Sequence, residues 1–203
     1  MVGLLSGWLQ RRRIGKAISF IEVNKVLDVG CGTGELLRYF PAGIHYTGLD
    51  MDARKVFKAE ELHPGVTFKW LNLNDFKGID GLFDTIFILA VVEHLDNPAR
   101  LVKRLAGNLN PGGVIIMTTP SPSSEWLLSF GSKLGIFNKE QIAQHKALYS
   151  ETELGAMAKC ANLAVVHYSR FEFGLNQLMV LRKGESHGSD AVGRPDQPVF
   201  VLP

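Results

Sequence analysis

Short apolar runs alternate with amphipathic stretches along most of this chain, and the alternation predicts a string of strands and helices. Val26 to Val29 is apolar except for Asp28 and reads as a buried strand leading into glycines at 30, 32 and 34. A helix is expected from Glu35 to Phe40, stopped by Pro41. His45 to Asp50 is a second strand, and Asp52 can cap a helix running to about Leu62. Val66 to Leu73 is the third strand and Phe83 to Ala90 the fourth, the latter apolar enough for a sheet covered on both faces. Asn97-Pro98 starts a helix whose Leu101, Val102, Leu105, Ala106 and Leu109 form one stripe. Pro111-Gly112-Gly113 breaks it before a fifth strand, Val114 to Thr119. Ser150-Glu151-Thr152-Glu153 has capping-box spacing ahead of Leu154, Met157 and Ala158. Leu163 to Phe171 and Leu175 to Leu181 read as two strands close enough to pair.

Five strand–helix units in succession predict an α/β fold with a doubly wound, parallel sheet. The last two strands have no crossover helix between them, so the seventh must run antiparallel. The result is a seven-stranded sheet, mostly parallel, with an antiparallel hairpin at its edge. The expected division is a basic helical cap over 1–24, a core domain over 25–183 and a Gly/Ser/Pro-rich tail over 184–203, read as disordered. In the cap, Ile14, Ile18 and Ile21 recur at helical spacing beside Arg11, Arg12 and Arg13. Such a segment can cover the core, cover a substrate, or touch a membrane surface.

Composition narrows the classes. Hydrophobic residues make up 46% and charged residues 21% of 203 positions, as in ordinary globular domains. A net charge of +2 gives no ground for nucleic-acid binding. The two cysteines, Cys31 and Cys160, form no C-x-x-C, so neither a disulfide framework nor a zinc site is expected, and a cytoplasmic setting is. No apolar run reaches a membrane span, and the N-terminal order of leucines before arginines is wrong for a secretory signal.

The chemistry concentrates at the predicted strand ends, where parallel sheets bind ligands. Asp28-Val29-Gly30-Cys31-Gly32-Thr33-Gly34 gives a G-x-G-x-G turn with a carboxylate ahead of it and Glu35 behind. The dinucleotide pattern G-x-G-x-x-G would need glycine at position 35. A pyrophosphate there would meet Glu35, so a ligand with a cationic end and no phosphates suits the loop better. The helix expected after the loop would point unpaired N–H groups at that ligand. Asp50 stands twenty residues beyond Gly30, where an acid can accept both ribose hydroxyls; the alternative is a helix cap.

At these residues the chain resembles the class I S-adenosylmethionine-dependent methyltransferases, whose first motif is acid-x-G-x-G-x-G. The resemblance covers about residues 24 to 183 and implies the Rossmann-like methyltransferase fold. The segment Val91-Val92-Glu93-His94-Leu95-Asp96-Asn97-Pro98 is similar to the subgroup containing ubiquinone-biosynthesis O-methyltransferases. The resemblance implies S-adenosyl-L-methionine as cofactor, held by Asp28, Gly30, Cys31, Gly32, Thr33, Gly34, Asp50, Met51, Asn74, Asp75, Phe76 and Ala90. Asn74 and Asp75 would meet the adenine amino group, and Phe76 would line the adenine pocket or serve as core.

His94 is the first candidate for a general base on a hydroxyl acceptor, with His145 behind it; either could instead be structural. Glu93 and His94 alone do not make a metal ligand set, so no metal is expected. Residues 120–149 form an unusually long connection carrying Trp126, Leu127, Leu128, Phe130, Leu134, Ile136 and Phe137, placed to cover an apolar small-molecule acceptor. The expected activity is methyl transfer to a small molecule, at oxygen, with no nucleic acid as partner. The rivals are a nucleic-acid methyltransferase, a cofactor-binding module without transfer, and an NAD-dependent oxidoreductase.

Overall fold

The computed structural model describes residues 2–20, 24–124 and 147–184. Seven strands form one sheet in the order β3-β2-β1-β4-β5-β7-β6. They are β1 (Lys25–Val29), β2 (His45–Asp50), β3 (Thr67–Trp70), β4 (Phe83–Leu89), β5 (Leu109–Pro120), β6 (Leu163–Phe171) and β7 (Asn176–Lys183). The β1–β2, β2–β3, β1–β4 and β4–β5 pairs are parallel. The strand order reverses at β1, which opens a crevice beyond the carboxyl ends of β1 and β4. Strand β7 runs antiparallel to both β5 and β6, as the missing crossover helix requires.

The central strands β1, β4, β5 and β7 are buried on both faces because they are apolar at odd and even positions alike. One face carries Leu27, Val29, Ile86, Ile88, Ile115 and Met117, packed under α3 (Pro98–Gly107) and α4 (Glu151–Cys160). The other carries Val26, Phe87, Val114, Ile116, Leu178 and Val180, packed with Ile14 and Ala17 of α1 (Val2–Ile18) and Val56 and Ala59 of α2 (Ala53–Leu62). The second half of α1 is thus core. Caps stand where the sequence puts them. Asp52 accepts from the Arg54 amide, Asn97 from the Arg100 amide, and Ser150 and Glu153 close a full capping box.

Three elements differ from expectation. Strand β3 is four residues long, and the chain then tightens into a 3₁₀ turn at Leu73–Asp75 that places Asn74 and Asp75. Pro111-Gly112-Gly113 does not separate a helix from a strand but lies inside β5, where the β4 pairing shifts register between Phe83 and Thr85. A Cβ on Gly113 would stand 3.0 Å from the carbonyls of Asn110 and Asp84, so only glycine fits that bulge. The segment after the glycine loop is a five-residue 3₁₀ turn, Glu35–Tyr39, and not an α-helix. It is too short to propagate before Pro41.

Candidate functional site

The glycine loop connects β1 to that 3₁₀ turn, and its backbone amides are all engaged within the protein. Gly30 and Cys31 donate to the Leu49 carbonyl at 2.7 and 2.9 Å, and Gly34 donates to the Cys31 carbonyl at 3.0 Å. Gly32 donates to Asp50 Oδ2 at 2.8 Å, and Thr33 to Glu35 Oε2 at 3.2 Å. The α-helix expected after the loop is a 3₁₀ turn instead, and the side chains of Asp50 and Glu35 take two of the loop's own donors. A loop with its donors satisfied and carboxylates around it offers little to a pyrophosphate. Glycine is required at 30 by its φ of 81° and by the loop after β4: a Cβ would stand 2.3 Å from Val91 Cγ2.

Asp50 closes β2, 7% exposed, and its second oxygen accepts the Asp52 amide at 2.9 Å. The helix-cap role belongs to Asp52, which leaves Asp50 to brace the glycine loop while each of its oxygens keeps a free lone pair. Met51 is exposed, and its carbonyl accepts from the Trp70 indole at 2.9 Å. Trp70, opposite Asp50 in the β2–β3 register and largely exposed, is a flanking aromatic that the sequence reading missed. Asn74 Oδ1 accepts the Asp96 amide, which ties the β3 turn to the β4 loop, and Asp75 accepts from Asn72. Of the two places expected for Phe76, the core is the one it takes, 4% exposed in the cluster with Leu49, Leu73 and Phe83.

Asp28 is buried and accepts a 2.6 Å hydrogen bond from the Tyr46 hydroxyl. Burial pushes its carboxyl up to about 7; the Tyr46 bond pulls it down, while Glu35 and Asp50 push it further up. Burial raises the Cys31 thiol as well, leaving it an inert member of the loop. Asp28, Gly30, Cys31, Glu35 and Leu36 line a cleft with Leu89 and with Gln10, Arg13 and Ile14 of α1. Arg13 is the other residue missed. Its helical stripe is legible, but where α1 crosses the sheet is a tertiary fact.

At the end of β4, Ala90 adopts φ 57° and its amide donates to the Thr118 carbonyl at 2.9 Å. A non-glycine residue held there costs about 1–3 kcal/mol, which the surrounding structure must sustain. Ala90→Val, adding a β-branched side chain, should lower stability by a further ~1–3 kcal/mol in urea unfolding. Val92–His94 then form a 3₁₀ turn. Glu93 is buried and accepts from Thr119 Oγ1 at 3.0 Å; desolvation holds its carboxyl above the usual range. His94 is half-buried beside it. His145, with most of the 120–149 connection and the 184–203 tail, lies outside the described residues.

The methyltransferase-domain family profile matches residues 7–168. The chain belongs to that family. Among its relatives is the ubiquinone biosynthesis O-methyltransferase of Chromobacterium violaceum, 28% identical over 155 residues, covering 71% of this chain and 66% of the relative. The tRNA U34 carboxymethyltransferase of Nautilia profundicola is 35% identical over 107 residues, covering 49% and 35%. The chain thus spans from about a third to just under two thirds of the length of these two curated relatives. An S-adenosylmethionine-dependent methyltransferase from Mesorhizobium loti has the same fold, with TM-score 0.67 and 17% identity over 82% of this chain and 94% of that one. The methyltransferase domain here is a class I S-adenosylmethionine-dependent one, its cofactor S-adenosyl-L-methionine.

Proposed function

We propose that this chain transfers a methyl group from S-adenosyl-L-methionine to a small-molecule acceptor, at oxygen. The observation that carries the reading is the glycine loop, with its amides engaged internally and Asp28, Glu35 and Asp50 gathered around it. Such a loop favours a cationic ligand over a phosphate one. The carboxylate of Asp50 would accept the ribose hydroxyls through its remaining lone pairs, and Met51 and Trp70 would flank the base. Asn74 and Asp75 would contact its amino group. Asp28 would face the ligand's ammonium, and Arg13 its carboxylate.

The bound cofactor would supply an electrophilic methyl group. The protein's part is to align the acceptor with it, keep water out, and take the acceptor's proton. His94 is the group proposed for that proton. The domain division stated above, with residues 120–149 covering the acceptor, belongs to the same reading.

Two measurements test it. Calorimetry should show binding of S-adenosyl-L-methionine and none of NAD. Labelled-methyl assays on metabolite fractions and on tRNA should place label in the former; label on tRNA alone would favour the nucleic-acid alternative, to which the Nautilia relative's name points. Asp50→Ala removes a charged acceptor, a contribution of about 1.5–3 kcal/mol, so cofactor affinity should drop about 10- to 100-fold. Unchanged affinity in the folded variant would exclude Asp50 from the site.

A further inference from the structure

Four buried polar atoms lack a hydrogen-bond partner among the described residues: Arg13 Nε, Thr118 Oγ1, Glu172 Oε1 and Asn176 Oδ1. Their groups belong together. Thr118 pairs with Leu178 and Pro120 with Asn176, so Thr118 and Asn176 are diagonal neighbours on the β5–β7 ladder. Both share the face of Ile116, Leu178 and Val180, which is the face α1 covers with Ile14 and Ala17. Asn176 Nδ2 donates to the other oxygen of Glu172, and Arg13 feels the charges of Glu93 and Glu172.

The turn that presents Glu172 is an unusual one. Glu172 and Phe173 adopt φ 52° and 57°, a left-handed pair that ordinarily calls for Asn-Gly. The turn is held by Gly174 donating to the Phe171 carbonyl, Leu175 to the Glu172 carbonyl, and Ser121 to the Gly174 carbonyl. The outcome is a carboxylate only 9% exposed with one oxygen unpartnered. Leaving buried acceptors unmet is costly, and a site that keeps several of them is suited to a ligand that meets them.

Three of the four atoms are oxygens able to accept. The charged groups around them are two carboxylates and one guanidinium, which disfavours an anionic ligand. A primary ammonium brings three donors and the compensating charge. We propose that Thr118, Glu172 and Asn176 form a cradle for a protonated amino group of the acceptor, anchoring it under α1 while another of its atoms receives the methyl. This rests on the methyl-transfer reading above. Arg13 links the cradle to the cleft lined by Asp28 and Leu89.

The test uses the full chain loaded with S-adenosylhomocysteine and three probes of one shape: benzylamine, benzyl alcohol and benzoate. Benzylamine should bind at least about tenfold more tightly than the alcohol, and benzoate not at all. Glu172→Gln should abolish the preference while S-adenosylhomocysteine affinity stays unchanged. Thr118→Val, which removes one free acceptor at nearly constant shape, should weaken the amine alone and serves if the first variant fails to fold. Equal binding of amine and alcohol, or binding of neither, overturns the proposal, the cradle then holding water only. Parallel loss of S-adenosylhomocysteine affinity in Glu172→Gln also overturns it, assigning the cradle to the cofactor's own ammonium. If S-adenosylhomocysteine itself does not bind, the methyl-transfer reading falls, and the same amine series on the free protein still decides the cradle.

Discussion

Replacing His94 by alanine is expected to lower turnover on a hydroxyl acceptor by about 10²–10⁴-fold, with cofactor affinity nearly unchanged. The imidazole stands half-buried in the 3₁₀ turn that follows β4. Neutral imidazole is an effective base near neutrality, which suits removal of a hydroxyl proton as the oxygen takes the methyl. Burial holds the neighbouring Glu93 carboxyl above its usual range, and an imidazolium forming beside it would pull it back toward its ionised form. His94→Gln separates the roles, since glutamine can keep a hydrogen bond but cannot take the proton. Full turnover in both variants would leave His94 as a strut of the loop and assign catalysis to alignment.

Asp28→Asn is expected to stabilise the free protein at neutral and higher pH while weakening cofactor binding. The folded carboxyl titrates near 7, against 3.8 for an unperturbed one. Between those values the folded state binds a proton that the unfolded state does not. The stability this confers is complete below pH 4 and is lost as pH rises through 7. Three units correspond to at most about 4 kcal/mol. Asparagine keeps the shape and still accepts from the Tyr46 hydroxyl, but has no proton to lose. Melting curves of the two free proteins should therefore diverge between pH 5 and 8, with the variant higher at the alkaline end. Parallel curves would mean that Asp28 is ionised throughout. The same protonation predicts that wild-type affinity for S-adenosyl-L-methionine rises across this window, because the ligand's ammonium faces an anion only above it.

Much of this was legible in the chain, for a physical reason. Strands buried on both faces must be apolar runs, so β1, β4 and β7 announce themselves, and the missing crossover dictates the direction of β7. Asp52, Asn97 and Ser150 are caps because their local spacing suffices. What stayed hidden depends on distant chain. The donors of the glycine loop are taken by Leu49 and Asp50 of the next strand. Arg13 enters the cleft only because α1 crosses the sheet where it does. Phe76 could be read equally as pocket aromatic or core, and the 3₁₀ turn before it seats it in the core cluster. Glu172 sits at the hairpin tip, between two strands whose sequence shows only that they are close enough to pair.

The strand order has one more consequence, for self-association. An open sheet ends in two rows of unpaired backbone groups, each a template for another chain. Here one end is β3, only four residues long. The other is β6, whose pairing slips between Val165 and His167 and leaves Val165 and Val166 about half exposed. That irregularity breaks the flat ladder that an incoming strand would need, and the exposed Arg170 adds a charge farther along the same strand. A short border on one side and a kinked one on the other make this sheet a poor seed for fibrils despite its apolar strands.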